Sequence, residues 1–310
     1  MSALIEIILP VFLVMGFGYV AVLRGFFSLN GVDALMRFAQ NFAIPLLLFR
    51  AISTLDLSQG YDPGLMLSYY SGSLSGFLLG MLGARYLFGR AWDVSVVVGF
   101  SALFANSVLL GLPISELAYG AASLAPNYAI VSVHAPFCYF LGITTMEAVR
   151  GAGRGVRRAA LSVLKAMFRN TLMLAIGLGF LVNLSGLSLP GPLAESFDLI
   201  IRAALPTALF ALGGILTRYR PEGDMRVVLW VCAISLLLHP LIVLVMGTRI
   251  TGIGPELFRP AVLTAAMAPG FNSYIFANIY GVGKRIAATS VLIGTALSIL
   301  SVWFWLGVLG

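Results

Sequence analysis

Residues 43–49 read AIPLLLF, and residues 204–210 read ALPTALF, 161 positions further on. The same offset relates GFGYV at 16–20 to GLGFL at 177–181, and Tyr119-Gly120 to Tyr280-Gly281. Three matches at one spacing, with no gap between them, identify a tandem duplication of a unit of about 150 residues. The content of that unit decides the fold.

The unit is built for a membrane. Sixty percent of the residues are apolar and ten percent charged, with a mean hydropathy of +0.99. Soluble domains hold about 45–50% apolar and about 25% charged residues, so a chain this apolar cannot cover its surface with polar groups. Met1–Leu23 lacks a basic leader, and its apolar run is long enough to span; the first helix is expected to be retained. Cys138 and Cys232 lie inside apolar runs and read as buried small hydrophobes.

Runs of roughly 20 apolar residues cross a bilayer. Ten are expected, at about 3–23, 33–54, 63–86, 94–117, 124–147, 164–184, 193–217, 225–249, 258–280 and 286–308. Five fall in each repeat: residues 1–150 form the first, 151–163 a basic cytoplasmic linker, and 164–310 the second. Because five is odd, the second copy enters the membrane from the opposite face. The predicted fold class is an all-α polytopic membrane protein, a 5+5 inverted repeat of the kind recurrent in secondary transporters. With the N-terminus outside, the 19 basic residues divide into fifteen cytoplasmic and four outer ones (Arg50, Arg202, Arg249 and Arg259). That is the positive-inside bias, and it puts both termini outside. The basic run Arg150–Arg169 then reads as an anchor at anionic headgroups rather than a nucleic-acid patch.

Few acids or bases sit deep in any span, which weakens an intramembrane enzyme: neither paired catalytic groups nor carboxylate clusters for magnesium are found. The deep polar groups are amides, hydroxyls, glycines and prolines. Span four reads FSALFANSVLLGLPISELAYG, with Asn106 about halfway, then Gly111 and Pro113. Span nine reads TAAMAPGFNSYIFANIYG, with Pro269, Gly270 and Asn272 about halfway. Proline removes a backbone donor and clashes with the preceding turn. A break at membrane depth is tolerated only where protein or a watery cavity surrounds it. If both spans break at one depth and cross, half-helix N-termini converge there, with free N–H groups suited to an anion. The bland alternative is that Pro113 and Pro269 only kink packed helices.

Other residues carry open readings. Pro45 and Pro206 are matched kinks of spans two and seven, read as scaffold. Asn41, one turn before Pro45, is expected to satisfy the carbonyl that the proline frees, with a substrate contact as the alternative. Arg50 either snorkels to headgroups or draws anions to an outer vestibule. Glu116, less than a turn after Pro113, is the helix-end acid closest to the expected break. His134 and His239 precede Pro136 and Pro240; each is either a packing group or a membrane-buried proton relay.

The strings NFAIPLLLFRAIS, FANSVLLGLP followed by ELAYG, ALPTALFALGG and MAPGFNSYIFANIYG together resemble the auxin efflux carrier family, within the superfamily of the bile acid/sodium symporters, in a bacterial member. The resemblance covers nearly the whole chain. It implies a scaffold domain (1–58 and 164–220) that often makes a homodimer, and a transport domain (62–150 and 222–310) in which spans four and nine cross. The family's crossover asparagine falls on Asn106 and its first crossover proline on Pro113. Plant members carry a second crossover proline where this chain has Tyr274; Pro269 stands five residues earlier, and Asn272 and Tyr274 become candidate selectivity residues. The expected function is secondary transport of a small carboxylate, like auxin, malonate or malate, across the plasma membrane by an elevator-like movement. No cofactor, metal or nucleic acid is called for, and sodium is not expected, since acids are scarce near the crossover. The rivals are a sodium-coupled organic-anion symporter and an anion channel on the same scaffold.

Overall fold

The computed structural model describes residues 4–151 and 170–310. The basic linker expected at 151–163 and the first residues of the sixth span therefore lie, apart from Gly151, outside the described residues. Among the described residues the chain is all-helical, with no strand. Seven helices are long and apolar enough to cross a membrane: α1 (Ile5–Leu23), α2 (Leu29–Thr54), α3 (Pro63–Tyr86), α6 (Ala121–Val149), α8 (Gly191–Leu216), α9 (Met225–Ile250) and α12 (Lys284–Leu309). Shorter apolar helices are α4 (Trp92–Leu103), α5 (Ser107–Tyr119) and α7 (Thr171–Ser185), and α10 (Pro255–Ala265) and α11 (Asn272–Tyr280) complete the set. The fourth expected span is thus α4 plus α5, and the ninth is α10 plus α11, each interrupted.

The helices belong to two compact units. Residues 9–60 and 170–218 form one; residues 4–8, 61–151 and 219–310 form the other.

In the first unit, glycine decides which helices touch. A Cβ on Gly18 of α1 would collide with the Phe210 carbonyl of α8, and one on Gly213 of α8 with the Met15 carbonyl of α1. A Cβ on Gly179 of α7 would stand 2.9 Å from the Phe49 carbonyl of α2. Helices in lipid gain from such close approach, because no hydrophobic effect drives them together there. Gly18 and Gly179 are 161 positions apart, and so are Phe210 and Phe49. The two contacts are one contact, made twice with the halves exchanged. Asn183 of α7 finishes the job at the end of α2: its Nδ2 donates to the carbonyls of Ile52 (2.9 Å) and Leu55 (2.8 Å), where the helix terminus runs out of backbone donors and Ile52 has only a long 3.4 Å bond from Leu55. At the start of α2, Arg218 grips Asp33 through two nitrogens, at 2.8 and 2.7 Å.

In the second unit, α3 is the hub. Its start is fixed by Asp62, whose carboxylate accepts from the Leu65 N–H at 2.8 Å, and by Pro63 in the first turn. Its glycines admit neighbours on two sides. A Cβ on Gly80 would be 3.0 Å from the Cα of Gly99 in α4, and one on Gly72 would be 2.7 Å from Cδ2 of His239 in α9. The apolar core beside α4 contains Phe77, Phe100, Phe104 and Phe276, with Phe100 and Phe276 stacked at 4.0 Å.

Three prolines inside helices are absorbed by a widened turn, whereas Pro136 and Pro260 sit in regular helix. The residue before Pro45, Pro113 and Pro240 bonds five residues back in each case: Ile44 to Ala39, Leu112 to Ser107 and His239 to Ile234. The wide turn moves the carbonyl that the ring would strike. At Pro240 the carbonyl left without its donor, Leu236, accepts instead from Ser301 Oγ (2.7 Å) and Trp305 Nε1 (2.9 Å) of α12.

Candidate functional site

The two interruptions meet inside the second unit. Residues 104–106 separate α4 from α5, and residues 266–271 separate α10 from α11. Ala105 and Pro269 form an isolated antiparallel bridge. The Asn106 N–H donates to the Ala268 carbonyl at 2.8 Å, and the Gly270 N–H donates to the Phe104 carbonyl at 2.7 Å. Buried backbone must find partners, and these breaks supply them to each other.

Local sequence explains why the bridge sits there. Pro269 has no N–H to lose. Gly270 has no side chain: a Cβ would lie 3.1 Å from the Phe104 ring and 3.4 Å from its carbonyl. Gly294 of α12 lets that helix close over the bridge, since a Cβ there would be 2.6 Å from Pro269 Cδ. Asn106 begins α5, its carbonyl accepting from Leu110 (3.2 Å) and Gly111 (3.1 Å).

Electrostatically, α5 and α11 both start at the bridge. Each N-terminus carries N–H groups without intrahelical partners and about half a positive charge. Asn106 is buried and Asn272 half-buried. Tyr139 of α6 donates its hydroxyl to Asn272 Oδ1 at 3.1 Å. That engages the carbonyl end of the amide and leaves the two Nδ2 hydrogens as the uncommitted end. The walls are aromatic: Phe104 and Tyr139 pack at 6.1 Å, and Tyr274 packs on Phe271 (6.0 Å) and Tyr219 (5.4 Å). The arrangement is a set of neutral donors and two helix N-termini, with no lysine or arginine of the described residues within it.

Of the residues singled out in the sequence, Asn106, Pro269, Gly270 and Asn272 come together at the bridge, with Tyr274 in the first turn of α11. Gly111 is one turn into α5, where a Cβ would make an ordinary 3.4 Å contact with Thr264. Pro113 lies within α5, just past the widened turn of residues 107–111, and not at the break. Glu116 is exposed near the C-terminal end of α5. His134 packs on Phe104 at 4.9 Å, and His239 Nε2 lies 3.2 Å from Ser73 Oγ.

Asn41, Pro45, Pro206 and Arg50 belong to the other unit. Asn41 is exposed, and its Oδ1 lies 3.5 Å from the Thr171 hydroxyl. Pro45 is buried in α2, and Pro206 lies exposed in α8 just past an irregularity at Ala203. Arg50 pairs with Asp198 at 3.6 Å. Both cysteines are free and buried.

Sequence reading missed two groups beside the bridge. Asn127 of α6 is fully buried; its Oδ1 accepts from Thr264 Oγ1 of α10 at 2.7 Å, and its Nδ2 has no partner among the described residues. An amide in an apolar run was the available signal. Tyr139 gave none, because tyrosine is ordinary in membrane helices.

Comparison with known proteins agrees with this architecture. The family model described as "Membrane transport protein" matches residues 3–306. The chain belongs to this family, that of the auxin efflux carriers. It is 22% identical to the "Putative malonate transporter" of Rhizobium meliloti (strain 1021), over 97% of this chain and 94% of that protein. It is 24% identical to the "Uncharacterized transporter YfdV" of Escherichia coli (strain K12), over 96% of this chain and 95% of that protein. It is 27% identical to "Auxin efflux carrier component 5" of Arabidopsis thaliana, over 41% of this chain and 36% of that protein. The chain is thus a multi-pass membrane transporter, and its relatives are transporters. In this member of the auxin efflux carrier family, the bridged interruptions lie in the second unit.

Proposed function

We propose that this chain is a secondary active carrier of a small organic anion, a mono- or dicarboxylate such as malonate, held where the two interrupted helices cross. One observation carries the reading: two helix N-termini are joined by the hydrogen bonds Asn106 to Ala268 and Gly270 to Phe104, with the amides of Asn106 and Asn272 beside them. A carboxylate accepts from such donors, and hydrogen bonds to a charged group contribute about 1.5–3 kcal/mol each. With no fixed cation in the site, the anion is held without being trapped. The malonate assignment draws support from the name of the Rhizobium meliloti relative.

The rest of the scheme follows from the duplication. Ten spans in a 5+5 inverted repeat, with both termini outside, fit the charge distribution and the exchanged glycine contacts at Gly18 and Gly179. The unit containing the crossing moves against the other, elevator-fashion, and the other unit forms a homodimer. Gly111 and Pro113 shape α5, and Tyr274 sets selectivity.

Currents from sodium-free proteoliposomes test this reading. A saturable current on addition of malonate or succinate, and saturable uptake of indole-3-acetate, are expected. A current that appears only with sodium moves the chain to the sodium-coupled symporters; a non-saturating current makes it an anion channel.

A further inference from the structure

The two histidines sit on different helices and in different halves of the sequence, yet they form one cluster. Tyr69 of α3 stands between them, its ring 5.6 Å from His134 of α6 and 5.3 Å from His239 of α9. All three are almost completely buried. Two polar atoms in this cluster have no hydrogen-bond partner among the described residues, Tyr69 Oη and His239 Nδ1. Buried polar groups are rarely left so without a functional reason.

The cluster touches the crossing. His134 packs on Phe104 at 4.9 Å, the residue next to the bridging Ala105. The remaining groups facing the imidazoles are neutral. His134 meets Cys138 Sγ at 3.7 Å on its own helix and Tyr70 at 6.4 Å on α3. His239 meets Ser73 Oγ at 3.2 Å. No carboxylate, lysine or arginine is among the described partners of either ring.

We propose that His134 is a proton-binding site of the carrier, loaded together with the anion, with Tyr69 and His239 packed behind it. This rests on the carrier reading above. An isolated charge in a low-dielectric interior is expensive. A lone imidazolium has no counter-charge in this cluster, and a lone carboxylate has no cation at the crossing. Each supplies what the other lacks, so proton and anion bind with reciprocal coupling. The accounting is simple. A water-derived proton forms an N–H bond on His134 as the anion binds, and the same N–H gives its proton back to water when the anion leaves on the other side. One negative charge of the anion is thereby cancelled during transit.

The test is calorimetric titration of malonate into the purified full chain, near pH 7, in buffers of differing ionisation enthalpy. Uptake of about one proton per malonate is expected, which corresponds to an affinity rising up to tenfold for each unit fall in pH. His134→Gln is expected to bind malonate with no proton uptake. Malonate binding by the wild-type chain without proton uptake overturns the proposal while leaving the carrier reading in place. So does uptake that persists in His134→Gln, which puts the proton on the ligand or elsewhere. Absence of binding to malonate, succinate and indole-3-acetate alike overturns the carrier reading, and this inference with it. If His134→Gln does not fold, His134→Asn takes its place and is judged by the same two outcomes.

Discussion

Asn106 does two jobs with different atoms. Its backbone N–H closes the bridge to Ala268 and its carbonyl starts α5, so its side chain is free of structural duty. Asn272 differs, because Tyr139 holds its carbonyl end. Tyr139→Phe should leave the fold intact and raise the KM for malonate about fivefold, the worth of roughly one neutral hydrogen bond near 1 kcal/mol. Uptake kinetics in proteoliposomes check this; an unchanged KM would mean that the Asn272 amide is oriented by other contacts. Asn106 and Asn272 were legible in the sequence because amides stand out in apolar runs. Pro113 misled about where the break falls. A proline announces that one hydrogen bond is missing, but whether the helix opens or only widens depends on what lies opposite. At Pro113 a five-residue turn suffices, whereas at Asn106 the replacement partners come from Ala268 and Gly270, more than 160 positions away.

At the scale of elements, helix contacts in the first unit depend on particular glycines rather than on the glycine-rich motifs as wholes. GFGYV and GLGFL each contain two, but only the second packs. A Cβ on Gly16 or Gly177 meets nothing within 4 Å, while Gly18 and Gly179 face backbone carbonyls of the opposing helix. Gly16→Val and Gly177→Val should therefore be tolerated. Gly18→Val and Gly179→Val should each cost at least about 1–3 kcal/mol by overpacking, seen as a lower melting temperature or loss of the monodisperse peak in detergent. Equal behaviour of all four variants would contradict the contact assignment. The repeat was legible from the offset of 161. Which glycine of each pair carries the contact was not, since that depends on the rotation of each helix about its axis.

For the whole molecule, composition made membrane residence and the all-helical class readable. The division into two units leaves no mark in hydropathy, because nothing there separates α1, α2, α7 and α8 from the rest. The fifteen-to-four sorting of basic residues over the ten expected spans predicts that Gly310 lies outside. A C-terminal alkaline phosphatase fusion in bacteria should be active and a C-terminal green fluorescent protein fusion dark; the reverse pattern would invert the topology. The central claim is that bridged helix N-termini and two amides bind a carboxylate. It is tested most directly by the malonate affinity of Asn106→Ala, measured calorimetrically on protein whose melting temperature matches the wild type. Losing a hydrogen bond to a charged group predicts a Kd weaker by about 10- to 150-fold. A Kd equal to that of the wild type would contradict the account.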